Sequence, residues 1–285
     1  MFDPNSAGPE TDDGEQATLD LLTRGTLEIE GRLVDASNAT LYCTIKTTRP
    51  DPRAARDTKN PKDTKNPKNA KNPKNPKNAR TQQATVACVY KPIAGERPLW
   101  DFPAGTLAGR EVAAYVVSRT AGWDVVPPTV MRDGPFGPGM CQLWIDHDTG
   151  ADLIALSRRT DHAGLRDMAV FDAVVNNADR KIGHLLPAPD GRLYGCDHGV
   201  CFSTEYKLRT VLWQWRGKRL PGSAVAALEW LSGQLAPGAP LEAELGHWLE
   251  PEELEATRDR VALLIEHKVH PFPPADWPAV PWPPI

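Results

Sequence analysis

The chain contains no CxxC pair, no GxGxxG loop and no run of about 18 or more apolar residues. Each absence excludes something. Five cysteines (Cys43, Cys88, Cys141, Cys196 and Cys201) are odd in number and scattered, which argues against a disulfide framework and against a zinc site. A reducing cytoplasm is the compartment expected from that usage. Without a long apolar run no helix is expected to span a bilayer. The opening MFDPNSAGPETDDGEQ is acidic and polar with no apolar centre, unlike a secretory signal.

What remains is a chain of 285 residues, 40% hydrophobic, sufficient for one large domain or two lobes sharing a cleft. Its net charge of -4 conceals an asymmetry. Residues 46–80 carry twelve Lys/Arg against three Asp, a local balance of +9, so the other residues sum to -13. From Lys59 to Lys77 a lysine recurs at every third position among Asn, Pro, Asp, Ala and Thr. This run has no glycine, which excludes collagen, and no hydrophobic residue to pack. It reads as an insertion between two strands, in coil or polyproline II. A phosphate-rich or otherwise anionic partner for its aligned lysines is the alternative.

Periodicity divides the chain. Residues 1–17 read as a disordered leader, with a short helix near Ala17–Leu22. Alternation over Thr26–Asp35 and Thr40–Ile45 predicts a hairpin with Ser37-Asn38-Ala39 at its tip. Ala84–Lys91 is a third strand, and a helix with apolar positions Val112, Tyr115, Val116 and Val117 is expected over Gly109–Gly122. Strands at Thr129–Arg132 and Met140–Ile145 precede a helix at Gly164–Val175 and a hairpin of Leu185-Leu186 with Leu193-Tyr194. The last hundred residues read mostly as helices, including Ser223–Leu235 and Pro251–Lys268, before a Pro/Trp-rich tail over 271–285. The expected class is α+β: a small β-rich lobe (18–145, interrupted by the insertion at 50–82) followed by a larger α-rich lobe (146–270).

Three charged residues fall at informative places. Lys91 ends a strand, Glu111 lies early in the next helix, and Asp197 follows the apolar Leu193–Cys196 with His198-Gly199 after it. Phosphoryl transfer needs a cation on the nucleotide phosphates, a carboxylate to hold that cation, and a carboxylate for the metal. Taken singly, each has an ordinary reading: a strand-edge charge, a helix-dipole partner, a strand exit. Their order and spacing make the combination informative.

Asn177-Ala178-Asp179-Arg180 together with Cys196-Asp197-His198-Gly199 resembles the signatures of phosphatidylinositol 3/4-kinases and HipA-like kinases. Val89-Tyr90-Lys91-Pro92 resembles their nucleotide-lysine strand, and Arg110-Glu111 their ion-pairing helix. More narrowly, Gly25–Lys268 resembles an actinobacterial group of uncharacterised kinase-like proteins. The resemblance implies a bilobal kinase-like fold, ATP with Mg2+ or Mn2+, and a hydroxyl acceptor that is a lipid, a protein or a small molecule. It implies Asp179 as the residue facing the acceptor hydroxyl, with Arg180 and Lys181 steadying phosphate. Lys91 would contact the nucleotide phosphates and Glu111 would position it, while Asp197 and His184 would bind metal. Gln142, Trp144 and Ile145 would line the adenine pocket at the lobe crossing, against simple core packing as the alternative. Two departures stand out. His184 replaces the usual Asn, which favours softer ions or slow turnover. With no glycine-rich loop, Ser37 and Asn38 are left to cover the phosphates. The basic, aromatic stretch Tyr206–Pro221 falls where substrate-recognition loops lie in this superfamily. A non-catalytic nucleotide-sensing module is the competing reading.

Overall fold

A computed structural model describes residues 13–33, 38–49 and 82–285. The first helix, α1 (Asp13–Arg24), begins four residues before the expected Ala17, inside the stretch read as a disordered leader. Asp13 and Glu15 in its first turn favour that start by complementing the helix dipole.

Five antiparallel strands follow: β1 (Thr26–Arg32), β2 (Leu41–Arg49), β3 (Gln82–Pro92), β4 (Thr129–Gly134) and β5 (Gly137–Leu143). They form one sheet in the order β1-β2-β3-β5-β4. Alternation assigns the two faces. Cys43, Ile45, Cys88, Tyr90 and Cys141 pack with Leu21 and Leu22 of α1 as the core of the small lobe. Val89 and Lys91 therefore point to the other face. The glycines of the β4–β5 hairpin serve packing: a Cβ on Gly134 would meet the Tyr90 ring at 2.6 Å, and one on Gly139 would meet the Lys91 carbonyl oxygen at 2.5 Å. That stretch is a hairpin turn and its flanks.

Between β3 and β4 lies α2 (Leu107–Thr120), where an amphipathic helix was expected. It is buried on all sides from Leu107 to Ser118, because it packs on the sheet and on the helices of the second lobe at once. The larger lobe comprises α3 (Leu153–Ser157), α4 (Ala163–Val175), the hairpin β6 (Leu185–Pro187) and β7 (Leu193–Gly195), then α5 (Gly222–Gln234), α6 (Pro240–Leu245) and α7 (Pro251–His267). The last hundred residues are less helical than expected: 196–221, which include the stretch read as loop over Tyr206–Pro221, are irregular except for a short 3-10 turn at Trp213–Trp215. That stretch satisfies its backbone through partners distant in sequence, such as Arg209 N–H to Asn177 O at 2.9 Å. The architecture is α+β and bilobal as expected, a small β-rich lobe on a larger α-rich one. Among the described residues no helix is long and apolar enough to cross a membrane. Ser37 and the lysine repeat lie outside the described residues.

Candidate active site

A cleft of about 470 Å³ opens between the lobes. Val89 of β3 and Leu33 line it from the sheet, Leu186 of β6 and Cys196 from the large lobe, and Gln142–Ile145 at the crossing between lobes. Two apolar surfaces with a backbone crossing between them suit a flat aromatic base. Lys91, His184 and Asp197 converge at the polar end, and Asn38 lines the same cleft.

Lys91 projects from β3 and its Nζ lies 2.6 Å from Glu111 Oε1 and 2.9 Å from Asp197 Oδ1. Burial opposes the charged ammonium, but Asp197 and Glu111 outweigh it and hold the amine above its ordinary range. Glu111, 2% exposed on α2, spends its other oxygen on the His198 backbone N–H at 2.9 Å. One helical carboxylate thus ties the small-lobe lysine to the backbone immediately after Asp197. Asp197 sits two residues beyond β7 with φ of 63°, a left-handed conformation that Asp tolerates better than most residues. Lys91 holds its carboxyl well below the usual range, although 43% of the side chain remains exposed at the cleft mouth.

His184 Nε2 lies 3.6 Å from Asp197 Oδ2. Burial pushes the imidazole down to about 4, so it is neutral at pH 7 and able to ligate a metal. Among the described residues no cluster of three His, Cys, Asp or Glu side chains surrounds one point. One carboxylate and one imidazole, with nucleotide phosphates and water completing the shell, is a donor set that fits a phosphate-bound divalent cation.

The loop carrying Asp179 leaves α4 through Asn176, which is left-handed at φ 52°. Its side chain donates to Ser203 O (3.0 Å) and Glu205 O (2.6 Å) and accepts from Lys207 N–H at 3.0 Å. Asp179 receives Lys181 Nζ at 3.1 Å and an Arg209 guanidinium nitrogen at 3.2 Å. It is not among the residues lining the cleft.

Arg180 corrects the expectation that it steadies transferred phosphate. It is fully buried and pairs with the equally buried Asp172 of α4 at 2.9 Å. It also donates to Cys196 O at 3.0 Å and to His198 Nε2 at 2.6 Å. No donor remains aimed at solvent; the side chain braces the Asp179 loop against the Asp197 segment. Gln142 is partly corrected as well, since its amide donates to Thr129 Oγ1 at 2.9 Å within the sheet. Trp144 packs edge-on against Tyr42 with ring centres 5.0 Å apart. Asn38 is anchored by accepting Arg97 N–H at 2.9 Å.

Sequence reading missed Asp172, Val89 and Leu186; it placed Arg209 in the basic, aromatic stretch Tyr206–Pro221 without pairing it with Asp179. Val89 was accessible, because strand alternation puts it on the face of Lys91. Asp172, a charge inside the apolar run Met168–Val175, also carried a signal. Leu186 carried none.

No protein-family model matches the chain. Over 230 residues it is 45% identical to protein Rv2133c of Mycobacterium tuberculosis, covering 69% of this chain and 82% of that protein. Over 137 residues it is 29% identical to phosphatidylinositol 4-kinase gamma 4 of rice, covering 41% of this chain and 24% of that longer protein. Among solved structures it is similar to hydra Fam20 with sugar (TM-score 0.55, 13% identity, 94% of this chain and 91% of that one). It is also similar to the Golgi casein kinase with Mn/ADP bound (TM-score 0.54, 14% identity, 90% of this chain and 76% of that one). At such identities the structural likeness speaks to fold alone, and that fold is kinase-like. The chain therefore belongs to the family of the mycobacterial protein Rv2133c, built on the kinase-like fold.

Proposed function

We propose that the protein binds ATP with a divalent cation in the interlobe cleft and transfers the γ-phosphate to a hydroxyl acceptor. The observation that carries this reading is the convergence of Lys91, Glu111 and Asp197 from three separate elements, with Lys91 Nζ within hydrogen-bond distance of both carboxylates. In this reading the lobes divide near Ile145. Lys91 engages the nucleotide phosphates and Glu111 positions it. Asp197 and His184 hold the cation, which neutralises developing phosphate charge when bound. Asn38 covers the phosphates and Gln142–Ile145 meet the base. Asp179 orients the acceptor hydroxyl and takes its proton. The rice relative supports a phosphatidylinositol 3/4-kinase-like affiliation, and the Mn/ADP bound to the Golgi casein kinase supports a nucleotide with Mn2+ or Mg2+. A reducing, cytoplasmic setting belongs to the same reading, from five scattered cysteines without a CxxC pair.

Calorimetry with ATP and either metal tests the reading. Lys91→Ala and Asp197→Ala should each weaken metal-dependent binding by about tenfold or more, through loss of charge-assisted contacts. Asp179→Asn should bind nucleotide normally while losing about a hundredfold or more in turnover. A folded wild type that binds no ATP would sink the proposal; full turnover by Asp179→Asn would remove that residue from its role.

One observation favours a second reading, a nucleotide sensor without turnover. Asp179 is already neutralised by both Lys181 and Arg209. Tight ATP binding with no phosphate transferred to any acceptor would select it.

A further inference from the structure

The segment 271–285, PFPPADWPAVPWPPI, contains seven prolines and no serine, threonine or tyrosine. It lies along the Asp179 loop and along the 209–213 segment paired with that loop. Arg180 N–H donates to Arg209 O at 3.0 Å, and Val211 N–H returns to Arg180 O at 3.2 Å. On the outer side of this pair, Ala279 O accepts Thr210 N–H at 3.1 Å and the Trp213 indole N–H at 2.7 Å. Farther on, Pro284 O accepts Ile182 N–H at 2.8 Å, three residues beyond Asp179. Arg209 touches both parties: it pairs with Asp179, and its guanidinium lies 5.9 Å from the Trp277 ring centre. Lys207 Nζ sits 5.0 Å from the same ring.

What holds this segment is informative. All three donors address main-chain carbonyls, so the seat reads a polypeptide backbone, here bent at 277, 279–280 and 282–283, with the Trp277 ring covered by Lys207 and Arg209. The large apolar side chains are spent poorly: Trp282 is 88% exposed, and Val280 and Ile285 are exposed too. A segment packed for stability would bury them. Proline restricts the backbone and lowers the ordering cost of lying in such a seat. The segment thus carries the backbone an acceptor peptide would present beside Asp179, and lacks the hydroxyl that would receive phosphate.

We propose that residues 277–285 occupy in cis the seat of a polypeptide acceptor, and that the acceptor is a serine- or threonine-bearing protein segment. This rests on the phosphotransferase reading above. In the transfer, the acceptor Oγ–P bond forms as the bond from the γ-phosphorus to the β–γ bridging oxygen breaks. ADP leaves with that electron pair, and the hydroxyl proton passes to Asp179.

The test places a hydroxyl in the seat of the full chain through Val280→Ser, Trp282→Ser and Ile285→Ser, each at an exposed side chain. With ATP and Mn2+, mass spectrometry should find phosphate on at least one introduced serine, at a rate independent of protein concentration. Trp277→Ala removes the ring that Lys207 and Arg209 cover. It should speed amide exchange at Ile182 and Thr210, and lower KM for a degenerate serine/threonine peptide library by about tenfold, as expected when a largely occupied seat opens. ATP turnover with no phosphate on any introduced serine or peptide, or transfer only to phosphoinositide vesicles, overturns the polypeptide seat and spares the phosphotransferase reading. Unchanged exchange in Trp277→Ala likewise overturns it. No ATP turnover under any condition overturns both.

Discussion

His270 is buried in the large lobe, stacked on Trp215, with Arg166 Nε donating to its Nε2 at 3.2 Å. Burial, then the nearby Arg166 and Lys218 charges, push its pKa down to about 4. A histidine so depressed takes up fewer protons folded than unfolded, so its contribution is present above its unfolded pKa and lost as the pH falls toward 4. Urea unfolding at pH 7 and pH 5 should show His270→Gln losing less stability on acidification than wild type, by about 2 kcal/mol. An equal loss would mean the imidazole is not held neutral. The same reasoning about surroundings explains which site residues were legible. Lys91 announces itself as the single charge on its strand, and Glu111 by its place early in the helix that follows. Arg180 misled because its neighbour in sequence is Asp179, while its partner in space is Asp172, fully buried on α4. A guanidinium with a desolvated carboxylate beside it turns inward, and spacing alone does not tell which way it turns.

At the scale of elements, α2 joins the lobes. Arg110, 1% exposed, pairs with Glu253 of α7 at 2.5 Å and donates to Cys201 O at 2.7 Å. Glu253 also accepts the Glu250 N–H at 3.0 Å and so helps cap α7. Breaking a buried pair leaves one charge without compensation, so Arg110→Ala should cost about 3–5 kcal/mol in urea unfolding. Arg110→Met, which keeps the apolar stem, should cost less. Because Glu111 is the next residue, both should also weaken ATP binding by calorimetry; normal binding would show that Glu111 is held without the Arg110–Glu253 pair. The strands were readable because a half-buried sheet writes its face into alternation. The environment of α2 was not, since a helix buried on every side has no polar face to set its phase. Tyr206–Pro221 was read as loop, but how the irregular 196–221 stretch is held was not legible, because its backbone partners come from distant segments.

At the scale of the molecule, the lysine-rich insertion enters and leaves the sheet at one place: Arg49 and Gln82 are register partners on β2 and β3. Replacing residues 51–80 by a short turn should preserve ATP binding and raise stability by about 1–2 kcal/mol, since loop closure costs about 0.6 kcal/mol per doubling of length. Thermal unfolding and calorimetry check both, and loss of ATP binding would mean the insertion contributes to the cleft. If the insertion serves an anionic partner, binding to polyanions should disappear with it while nucleotide binding stays. The amino-acid sequence by itself determined the two lobes, the sheet strands and the order of Lys91, Glu111, Asp179 and Asp197, because these follow from local periodicity and spacing. Only the tertiary structure decided that Arg180 faces inward, that Arg209 reaches Asp179, and that the Pro/Trp-rich segment lies along the Asp179 loop. Those contacts join residues tens of positions apart, and their energies arise from burial and distance that exist only once the chain has folded.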